Sequence, residues 1–589
     1  MTPGNAEEGA PESGVTGPVL RYHDGTKHHF HRFAQSIGYL DWASQPHPFR
    51  SFIGSPAFSL YPADLAAGAA TSGLTPAPVS YEQLFQPGSV TPSPATAAVI
   101  GLLLRHALGL SAWKRFRDSR WSLRVNPSSG NLHPTEAYIV TGVVEGLTET
   151  PAVWHYAADR HALEQRCAFD PDAWRAAGGD RPPMCLVALT SIHWREAWKY
   201  GERAFRYCQH DLGHAIGAVR IAAALAGWRA AMLPGWSQRE IASLIGVDRA
   251  EDYVEAEQEE PGCVLAMTAG EFPDAPGARR IGLVEAVQRG RWLGRASQLS
   301  EGHVDWTLID EIARATEDPG RSLVAPVVAA QDVAQDVAQD FGPAHNGRSK
   351  DLRDDPAPID ARALILQRRS ALAFDGGSAI DLPRFVAMLS RVMPGRHAPW
   401  DALWWTPRIH LALFVHRVDG LDPGLYILPR ETAALGRLKD AMHREFLWER
   451  ASDSVPLFRL LSGDGRALAQ RLSCDQEIAA DGFFSLGMIA DFDRSLREHG
   501  PSFYRHLFWE SGVVGQVLYL EAEAAGARAT GIGCFYDDPV HDVLGLEGHA
   551  FQSLYHFTVG VPIEDTRLTT EPGYSWERRP PEPANTYDV

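Results

Sequence analysis

The segment NPSSGNLHP, residues 126–134, concentrates hydroxyl, amide and imidazole groups in one short stretch. It follows a helical pattern at about 97–110 and precedes the apolar strand pattern AYIVTGVV, so rigid elements would hold it on both sides. Its hydroxyls, amide and backbone N–H groups suit the polar rim of a flat heteroaromatic ring, although composition alone favours a plain surface turn with an N-capping serine. The ring-binding interpretation names Pro127, Ser128, Ser129 and Asn131.

Arg368, Arg369 and Ser370 form a second candidate group after the helix-like segment IDARALILQ. Two guanidiniums and a hydroxyl can bind a phosphate through charge-assisted, partly bidentate hydrogen bonds. The plainer explanation is an exposed basic helix end, which the helix dipole favours. The residues are too common a combination to decide between the two.

Gly531, Ile532 and Gly533 form a third candidate, directly after a long apolar helix pattern. Glycines let a ligand approach the backbone closely. They are also typical of the end of a helix, and that explanation fits the turn equally well.

The elements that must position these groups occur twice. YGERAFRYCQHDLGHAIGAVRIAAALAGWRAAMLPG in the first half matches HGPSFYRHLFWESGVVGQVLYLEAEAAGARATGIG in the second, each a long buried helix pattern. An amphipathic piece follows each one, ending in SLIGVD or DVLGLE, and then a strand pattern, VLAMTAGEFP or LYHFTVGVPI. The sequence therefore predicts an α+β fold that is repeated along the chain.

The two repeats fit a chain of 589 residues, which is too long for one ordinary domain. A polar tail at 1–18 is predicted to be disordered. Residues 317–358 contain the low-complexity run AQDVAQDVAQD and few large apolar groups, which is typical of a linker. The predicted domains are residues 19–316 and 359–589.

Charge and composition exclude several function classes. The formal net charge of −18 argues against nucleic acid as a partner, because phosphate backbones need a basic surface. The N-terminus lacks the basic and apolar regions of a secretory signal, and no apolar run approaches the ~20 residues of a membrane span. The six cysteines form no CxxC pair. We expect a cytoplasmic protein without a membrane partner.

Two histidine groups raise the question of a metal. His210 and His214 stand four residues apart, as in zinc helices, but the intervening glutamate of such helices and an obvious third ligand are missing. His28, His29 and His31 are close together, yet such clusters are more often solvated or hydrogen-bonded. We therefore expect no metal site.

The combination NPSSGNLHPTEAYIV, KYGERAFRYCQHDLGHA, Arg-Arg-Ser and GIG resembles the nitroreductase family. More narrowly it resembles the SagB/ThcOx-type dehydrogenases, which oxidise azoline rings in ribosomal peptides, and the opening YHDGTKHHFHRF is similar to theirs. The resemblance covers nearly the whole chain except the tail and the linker. It implies two nitroreductase-like domains, each an antiparallel-rich sheet flanked by helices, fused into an intramolecular pseudo-dimer.

The resemblance also implies bound flavin mononucleotide (FMN). Family members are usually homodimers that bind two FMN molecules at the interface, with the ring-side loop from one subunit and the phosphate contacts from the other. Here the first half retains the ring-side loop, and the second half retains the phosphate contacts. The counterpart of the loop around WWTPRIHLALF is lost, and so is the Arg-Arg-Ser of the first half, which predicts one FMN per chain. The implied FMN-binding residues are Pro127, Ser128, Ser129, Asn131, Arg368, Arg369, Ser370, Gly531, Ile532, Gly533 and a late Arg567.

Lys199 and Tyr200 are the implied catalytic pair. In SagB-type dehydrogenases a Lys-Tyr pair at this place is implicated in deprotonating the substrate, which eases hydride transfer to the flavin. A lysine needs burial to act as a base at neutral pH. An exposed lysine beside a half-buried tyrosine is the plainer alternative, and the second half has Glu498 and His499 instead.

We expect an FMN-dependent dehydrogenase that acts on a heterocycle or an amino-acid- or peptide-derived substrate in a biosynthetic pathway, with reoxidation by oxygen. The first alternative is an NAD(P)H-dependent nitro or quinone reductase; the sequence has no dinucleotide-binding glycine motif, but nicotinamide can stack directly on a flavin. The second alternative is a degenerate scaffold that binds a peptide or a partner enzyme. Expected partners are a small-molecule or peptide substrate and other biosynthetic enzymes, and a monomer would suffice as a pseudo-dimer.

Overall fold

The computed structural model of the chain describes residues 14–60, 78–178, 184–270, 280–321 and 358–577. Most of the predicted tail and linker, residues 1–13 and 322–357, lies outside the described residues. The first helix already begins at Gly17, inside the predicted tail. The division into domains at 317–358 therefore stays a prediction.

The helices of the described residues are numbered in chain order. They are α1 (Gly17–Gly25), α2 (Ala97–Ala107), α3 (Pro171–Ala176), α4 (His193–Tyr200), α5 (Ala204–Leu225), α6 (Gln238–Ile245), α7 (Arg280–Gln288), α8 (Thr307–Ala315), α9 (Ala361–Gln367), α10 (Leu382–Arg391), α11 (Ala434–Ala441), α12 (Arg466–Leu472), α13 (Ile478–Asp481), α14 (Phe492–His499), α15 (Phe503–Ala524) and α16 (Asp537–Leu544). Within this part of the chain, no helix is long and apolar enough to cross a membrane.

The strands are numbered in the same way. They are β1 (Phe52–Ile53), β2 (Ala57–Ser59), β3 (Leu110–Phe116), β4 (Ser119–Arg124), β5 (Thr135–Thr141), β6 (Ala152–Ala157), β7 (Ala162–Ala168), β8 (Met184–Ser191), β9 (Arg229–Met232), β10 (Glu260–Thr268), β11 (Arg291–Trp292), β12 (Arg295–Ala296), β13 (Ile380–Asp381), β14 (Ile409–Val415), β15 (Val418–Asp419), β16 (Gly424–Leu428), β17 (Glu449–Arg450), β18 (Phe458–Ser462), β19 (Phe484–Asp491), β20 (Arg528–Ile532), β21 (Phe551–Gly560) and β22 (Thr569–Pro572).

Two antiparallel sheets with matching strand orders form the framework. The first runs β11-β7-β6-β5-β8-β10-β9, with β2 beside β7, and the second runs β17-β18-β16-β14-β19-β21-β20. In each, a long helix, α5 or α15, connects an inner strand, β8 or β19, to the edge strand, β9 or β20. The central strands β5 and β14 are buried along their whole length, because helices cover both faces of each sheet. The predicted α+β architecture is confirmed.

The helices α5 and α15 pack against each other along the middle of the molecule, and both are almost entirely buried. Gly213 on α5 lies against the backbone of Trp509, and Gly512 on α15 lies against the backbone of His210. A Cβ atom at either glycine would strike a backbone carbonyl of the other helix. The two glycines therefore set the distance between the halves.

Each half also sends a segment onto the other. His23 of α1 hydrogen-bonds Gln552 of the second sheet through Nε2 at 2.9 Å, and α8 accepts a hydrogen bond from Arg505 at the carbonyl of Ala313 (2.7 Å). In return, β22 from the end of the chain pairs with β3, where Thr570 lies opposite Lys114. The two halves form one interlocked body.

Gly512→Ala tests the helix crossing. The added methyl would overpack the contact with His210, so we expect the free energy of unfolding to fall by about 1–3 kcal/mol, measured as a lower thermal midpoint. The matched control is Gly436→Ala on the exposed side of α11, where nothing lies within 4 Å of the new Cβ. There alanine is expected to stabilise the helix by about 0.5–1 kcal/mol. Equal midpoints for the two variants would contradict a close crossing set by glycine.

Candidate functional site

A cavity of about 480 Å³ lies between the two halves. This volume is within the range of pockets that bind small organic ligands or cofactors. Both halves line it, and it brings together most of the residues singled out in the sequence. These are Pro127, Ser128, Ser129, Asn131 and Tyr200 from the first half, and Arg368, Arg369, Ser370, Gly531, Ile532 and Gly533 from the second.

The loop at Pro127–Asn131 is held in place by a buried carboxylate of α5. Asp211 accepts hydrogen bonds from Ser129, from the backbone N at 3.0 Å and from Oγ at 2.9 Å. Ser128 Oγ accepts from the backbone N of His133 at 2.7 Å. Asn131 stands at a φ of 61° and donates through Nδ2 to the carbonyl of Ser122 at 2.8 Å. These bonds fix the loop before any ligand binds.

The opposite end of the cavity is rich in cations. The helix α9, whose first turn is capped by Asp360, ends just before Arg368. Arg368 is buried and donates to the carbonyls of Val125 and Arg124 at 2.9 and 3.1 Å, whereas its Nη1 is buried without a hydrogen-bond partner among the described residues. Burial and the neighbouring Arg368 lower the pKa of Arg369 to about 9. Two adjacent guanidiniums, one of them with a buried nitrogen that no described residue binds, favour an anionic ligand.

Further polar and cationic residues lie at this end of the cavity. Ser370 Oγ lies 2.9 Å from the hydroxyl of Tyr519, and the Arg528 guanidinium pairs with Glu564 at 2.5 Å. Lys114 of β3 lines the cavity as well, and burial lowers its pKa. The guanidinium and ammonium groups thus come from both halves.

The glycine turn at the end of β20, Gly531 to Gly533, forms a part of the cavity wall from which no glycine side chain projects. Gly531 donates its backbone N–H to the Tyr519 hydroxyl at 2.9 Å. A side chain at Gly531 would collide with the hydroxyl of Tyr555, and one at Gly533 with the ring of Tyr207. Glycine here keeps the backbone open to the cavity and leaves room for both aromatic rings.

Lys199 and Tyr200 differ in their access to the cavity. Tyr200 lines it, with its hydroxyl against Gly130 and its ring 4.6 Å from that of Tyr207. Burial, with the nearby Glu196 carboxyl, raises its pKa well above the usual value. Lys199 is exposed at the last turn of α4, with Nζ 5.1 Å from the centre of the Tyr200 ring, and does not reach the cavity wall.

Arg567 also stays outside the cavity wall. Its guanidinium pairs with Asp565 at 2.8 Å and its side chain is 75% exposed. The basic positions that do line the cavity, beside the Arg-Arg pair, are Lys114, Arg124 and Arg528. Arg567, which the sequence resemblance assigned to the phosphate, is thus paired with Asp565 instead.

The symmetry-related place in the other half is filled by the chain itself. Glu510 of α15, two residues before Gly512, corresponds to Asp211, two residues before Gly213. It binds the indole of Trp405 at 3.0 Å and the guanidinium of Arg430 at 2.5 Å. Arg321 stacks on Trp404 at 4.4 Å and donates its backbone N to the carbonyl of Pro234 at 2.8 Å. We call residues 318–321 with Trp404 and Trp405 the plug.

Residues 90–258 match the model of the nitroreductase family. A putative nitroreductase from Anabaena variabilis has a similar structure, with a TM-score of 0.64, 20% identity, and coverage of 93% of this chain and 99% of that chain. This similarity spans both halves and shows that the chain has the nitroreductase fold.

Two further similarities cover less than half of this chain. A putative nitroreductase from Ralstonia eutropha matches at 16% identity and a TM-score of 0.26, over 36% of this chain and 89% of that one. A chain of the E. coli microcin synthetase McbBCD complex matches at 15% identity and a TM-score of 0.27, over 42% of this chain and 85% of that one. The search of curated proteins found no match.

Within the nitroreductase fold, several cavity residues were not predicted from the sequence. Asp211 and His214 lie in a helix segment whose pattern predicts packing, and His214 Nε2 lies 3.3 Å from the Tyr555 hydroxyl. His210 stacks on the Tyr555 ring at 4.1 Å. The period of α5 gave no signal for a cavity, because the helix is buried all round. Further polar cavity residues that were missed include Lys114, Arg124, Tyr207, Tyr519, Arg528, Cys534 and Tyr555.

Asp211→Asn tests the carboxylate that holds the loop. Burial raises the pKa of Asp211 from 3.8 to about 7. Because the folded-state pKa is the higher one, ionisation weakens folding as the pH rises from about 4 to about 7. We expect the unfolding free energy of the wild type to fall relative to Asp211→Asn across this window, by up to about 1.4 kcal/mol per pH unit. Denaturant unfolding at a series of pH values measures the difference.

The matched control is Asp172→Asn, which removes a carboxylate that is 77% exposed on α3. It gives the baseline against which the pH dependence of Asp211→Asn is compared. A pH dependence for Asp211→Asn that does not differ from this baseline would refute the raised pKa of the Asp211 carboxyl.

Proposed function

We propose that this chain is an FMN-dependent oxidoreductase that binds one FMN between its halves. The observation that carries the proposal is the cavity that joins the polar loop of one half to the cationic end of the other. From the SagB-type resemblance of the sequence we further propose a dehydrogenase of azoline-type heterocycles or related peptide-derived substrates. A biosynthetic partner enzyme belongs to the same proposal.

The residues of the cationic end fit the phosphate of FMN. Arg368 has a buried Nη1 without a partner among the described residues, and a phosphate oxygen would satisfy it. Arg369 and the Ser370 hydroxyl stand beside it, and Lys114 and Arg528 line the same cavity. A dianion placed here would offset the like charges of the adjacent residues Arg368 and Arg369.

The residues around the loop and the glycine turn fit the flavin ring. Ser128, Ser129 and Asn131 would meet its polar edge, and Gly531 to Gly533 would lie along it without side chains in the way. FMN, when bound, supplies the two-electron chemistry, because it accepts or gives a hydride. The chain supplies orientation, exclusion of water and proton handling.

For proton handling we propose Tyr200, with Lys199 acting through it. Tyr200 lines the cavity, and its raised pKa keeps it a phenol that donates a hydrogen bond. Lys199 lies on the outer side of the ring and serves as a positioning residue. Asp211, with its pKa near 7, is the nearby group suited to accept a proton at neutral pH.

A second candidate is an NAD(P)H-dependent reductase of nitro compounds or quinones. The match of residues 90–258 to the nitroreductase family model favours it. The same cavity would serve both reactions, since they differ in the direction of electron flow. Steady NAD(P)H consumption with a nitroaromatic, without oxidation of an azoline-containing peptide, would favour the reductase.

Arg369→Gln tests the phosphate end. We expect the wild type to bind FMN at least about tenfold more tightly than riboflavin, because a charge-assisted contact adds about 1.5 kcal/mol or more. Arg369→Gln should weaken FMN binding with little change for riboflavin, as followed by flavin fluorescence. Arg567→Gln is the control and should bind both like the wild type. Equal loss of both flavins would place the phosphate elsewhere.

Flavin content tests the asymmetry of the two halves. The purified protein should carry one FMN per chain, because the plug fills the symmetry-related place. The absorption spectrum together with the protein concentration gives the ratio. Two FMN per chain would refute the single-site proposal, and a colourless protein that takes up no FMN would refute the oxidoreductase.

Tyr200→Phe tests proton handling. With an azoline-containing peptide as the substrate, we expect kcat to fall by about 10² or more while the flavin spectrum is unchanged, since the hydroxyl is lost but the ring remains. Lys199→Ala should have a smaller effect. Tyr39→Phe, at a side chain that is 72% exposed, is the matched control. Unchanged turnover in Tyr200→Phe would remove this residue from the mechanism.

A further inference from the structure

Two cysteines and a histidine meet behind the glycine turn. Cys534 directly follows Gly533 and lines the cavity, while Cys474, after α12, is half-buried behind it. Their Sγ atoms are 2.8 Å apart, and Nδ1 of the buried His28 is 3.7 Å from Cys534 Sγ. The FMN contacts proposed above use none of these three side chains.

The backbone holds Cys474 toward Cys534. Cys474 and Asp475 both have positive φ, at 54° and 58°, which non-glycine residues adopt at a cost. Gln476 then ties the segment down, since its Nε2 donates to the carbonyl of Ser473 at 2.8 Å and to that of Cys534 at 3.1 Å. The surroundings thus maintain a strained turn that presents one thiol to the other.

The distances favour sulfur–sulfur chemistry over a metal. Two thiolates on one zinc ion, each about 2.3 Å from it, would be separated by about 3.8 Å. The Sγ atoms of Cys474 and Cys534 lie about 1 Å closer than that, inside ordinary non-bonded contact and near the ~2.05 Å of a disulfide. A small movement would therefore bond them.

The two thiols also differ in their reactivity. The hydrogen bond between the two thiols, with the nearby His28, lowers the pKa of Cys534, and the same interaction raises the pKa of Cys474. Cys534 is therefore the thiolate of the pair, and thiolates carry out thiol–disulfide exchange. Burial raises the pKa of the thiols of Cys167 and Cys185 to about 12, which leaves those cysteines inert.

We propose that Cys474 and Cys534 form a reversible disulfide that exchanges two electrons with a flavin held in the cavity. This inference rests on the FMN proposed above. Cys534 is the member on the cavity side, and half-buried Cys474 is the member that an external disulfide or thiol reaches.

The exchange balances without a further reactant. In the reducing direction, two electrons and one proton from reduced flavin would break the S–S bond at Cys534, the sulfur on the cavity side. Cys474 would leave and take the proton as a thiol, and Cys534 would end as the thiolate beside His28. The flavin gives up two electrons and one proton and is oxidised. In the other direction the dithiol reduces the flavin and becomes the disulfide, which two thiols of the glutathione class then reduce. After the reducing direction, a disulfide of the same class reoxidises the dithiol.

Anaerobic titration of the purified flavoprotein with dithionite tests this transfer. The oxidised wild type should take up about two equivalents per flavin, one for the flavin and one for the disulfide. Cys534→Ser and Cys474→Ser should each take up about one, with the flavin spectrum retained. Cys185→Ala, which removes a buried thiol outside the pair, should behave like the wild type.

A second measurement does not depend on the flavin. The protein is equilibrated in buffers with different ratios of reduced to oxidised glutathione, alkylated under denaturing conditions and analysed by mass spectrometry. The peptides that contain Cys474 and Cys534 should be disulfide-linked in oxidising buffers and separate in reducing buffers. One equivalent per flavin in the wild type, or no linked peptide, would overturn the inference and leave the FMN proposal intact. One Zn²⁺ per chain that both serine variants lose would also overturn it. A linked pair in a protein that binds no flavin would refute both proposals.

Discussion

The close crossing of α5 and α15 is the constraint on which the rest of the structure depends. Gly213 and Gly512 let the two backbones touch, so the two sheets face each other at a fixed separation. Asp211 and Glu510, two residues before these glycines, are thereby placed at equivalent positions on the two sides. Asp211 lines the cavity, whereas Glu510 binds Trp405 of the plug.

The two halves differ in how their buried carboxylates, Asp211 and Glu510, are paired. Both buried carboxylates bind backbone N–H groups, but Glu510 also pairs with the Arg430 guanidinium, while Asp211 has only neutral donors. Because Glu510 is fully paired, loss of the Arg430 guanidinium would leave an uncompensated buried charge. Asp211, with a raised pKa beside an open cavity, retains a proton equilibrium near neutral pH. The half that stays open is also the one suited to chemistry.

The sequence predicts the repeated α+β fold because the long apolar segments of α5 and α15 and the strand patterns after them recur in the same order in each half. It also predicts the loop at Pro127–Asn131 and the Arg-Arg-Ser group, whose residue types carry their chemistry. It does not reveal Lys114 or Cys474, because β3 and the turn after α12 meet the cavity only through long-range packing. Lys199 shows the opposite failure: its neighbour Tyr200 faces inward, while the last turn of α4 points Lys199 to solvent.

The pairing of β22 with β3 means that the cationic end of the cavity forms only after β22 has been synthesised. Lys114 lies on β3, and its Nζ hydrogen-bonds the Thr570 hydroxyl at 2.7 Å. During synthesis the first sheet can fold long before this partner strand leaves the ribosome, since domains fold from the N-terminus onward. The cationic end is thus completed by β22, the last strand of the described residues. A nascent chain that stopped before β22 would lack the strand that holds Lys114 at the cavity wall.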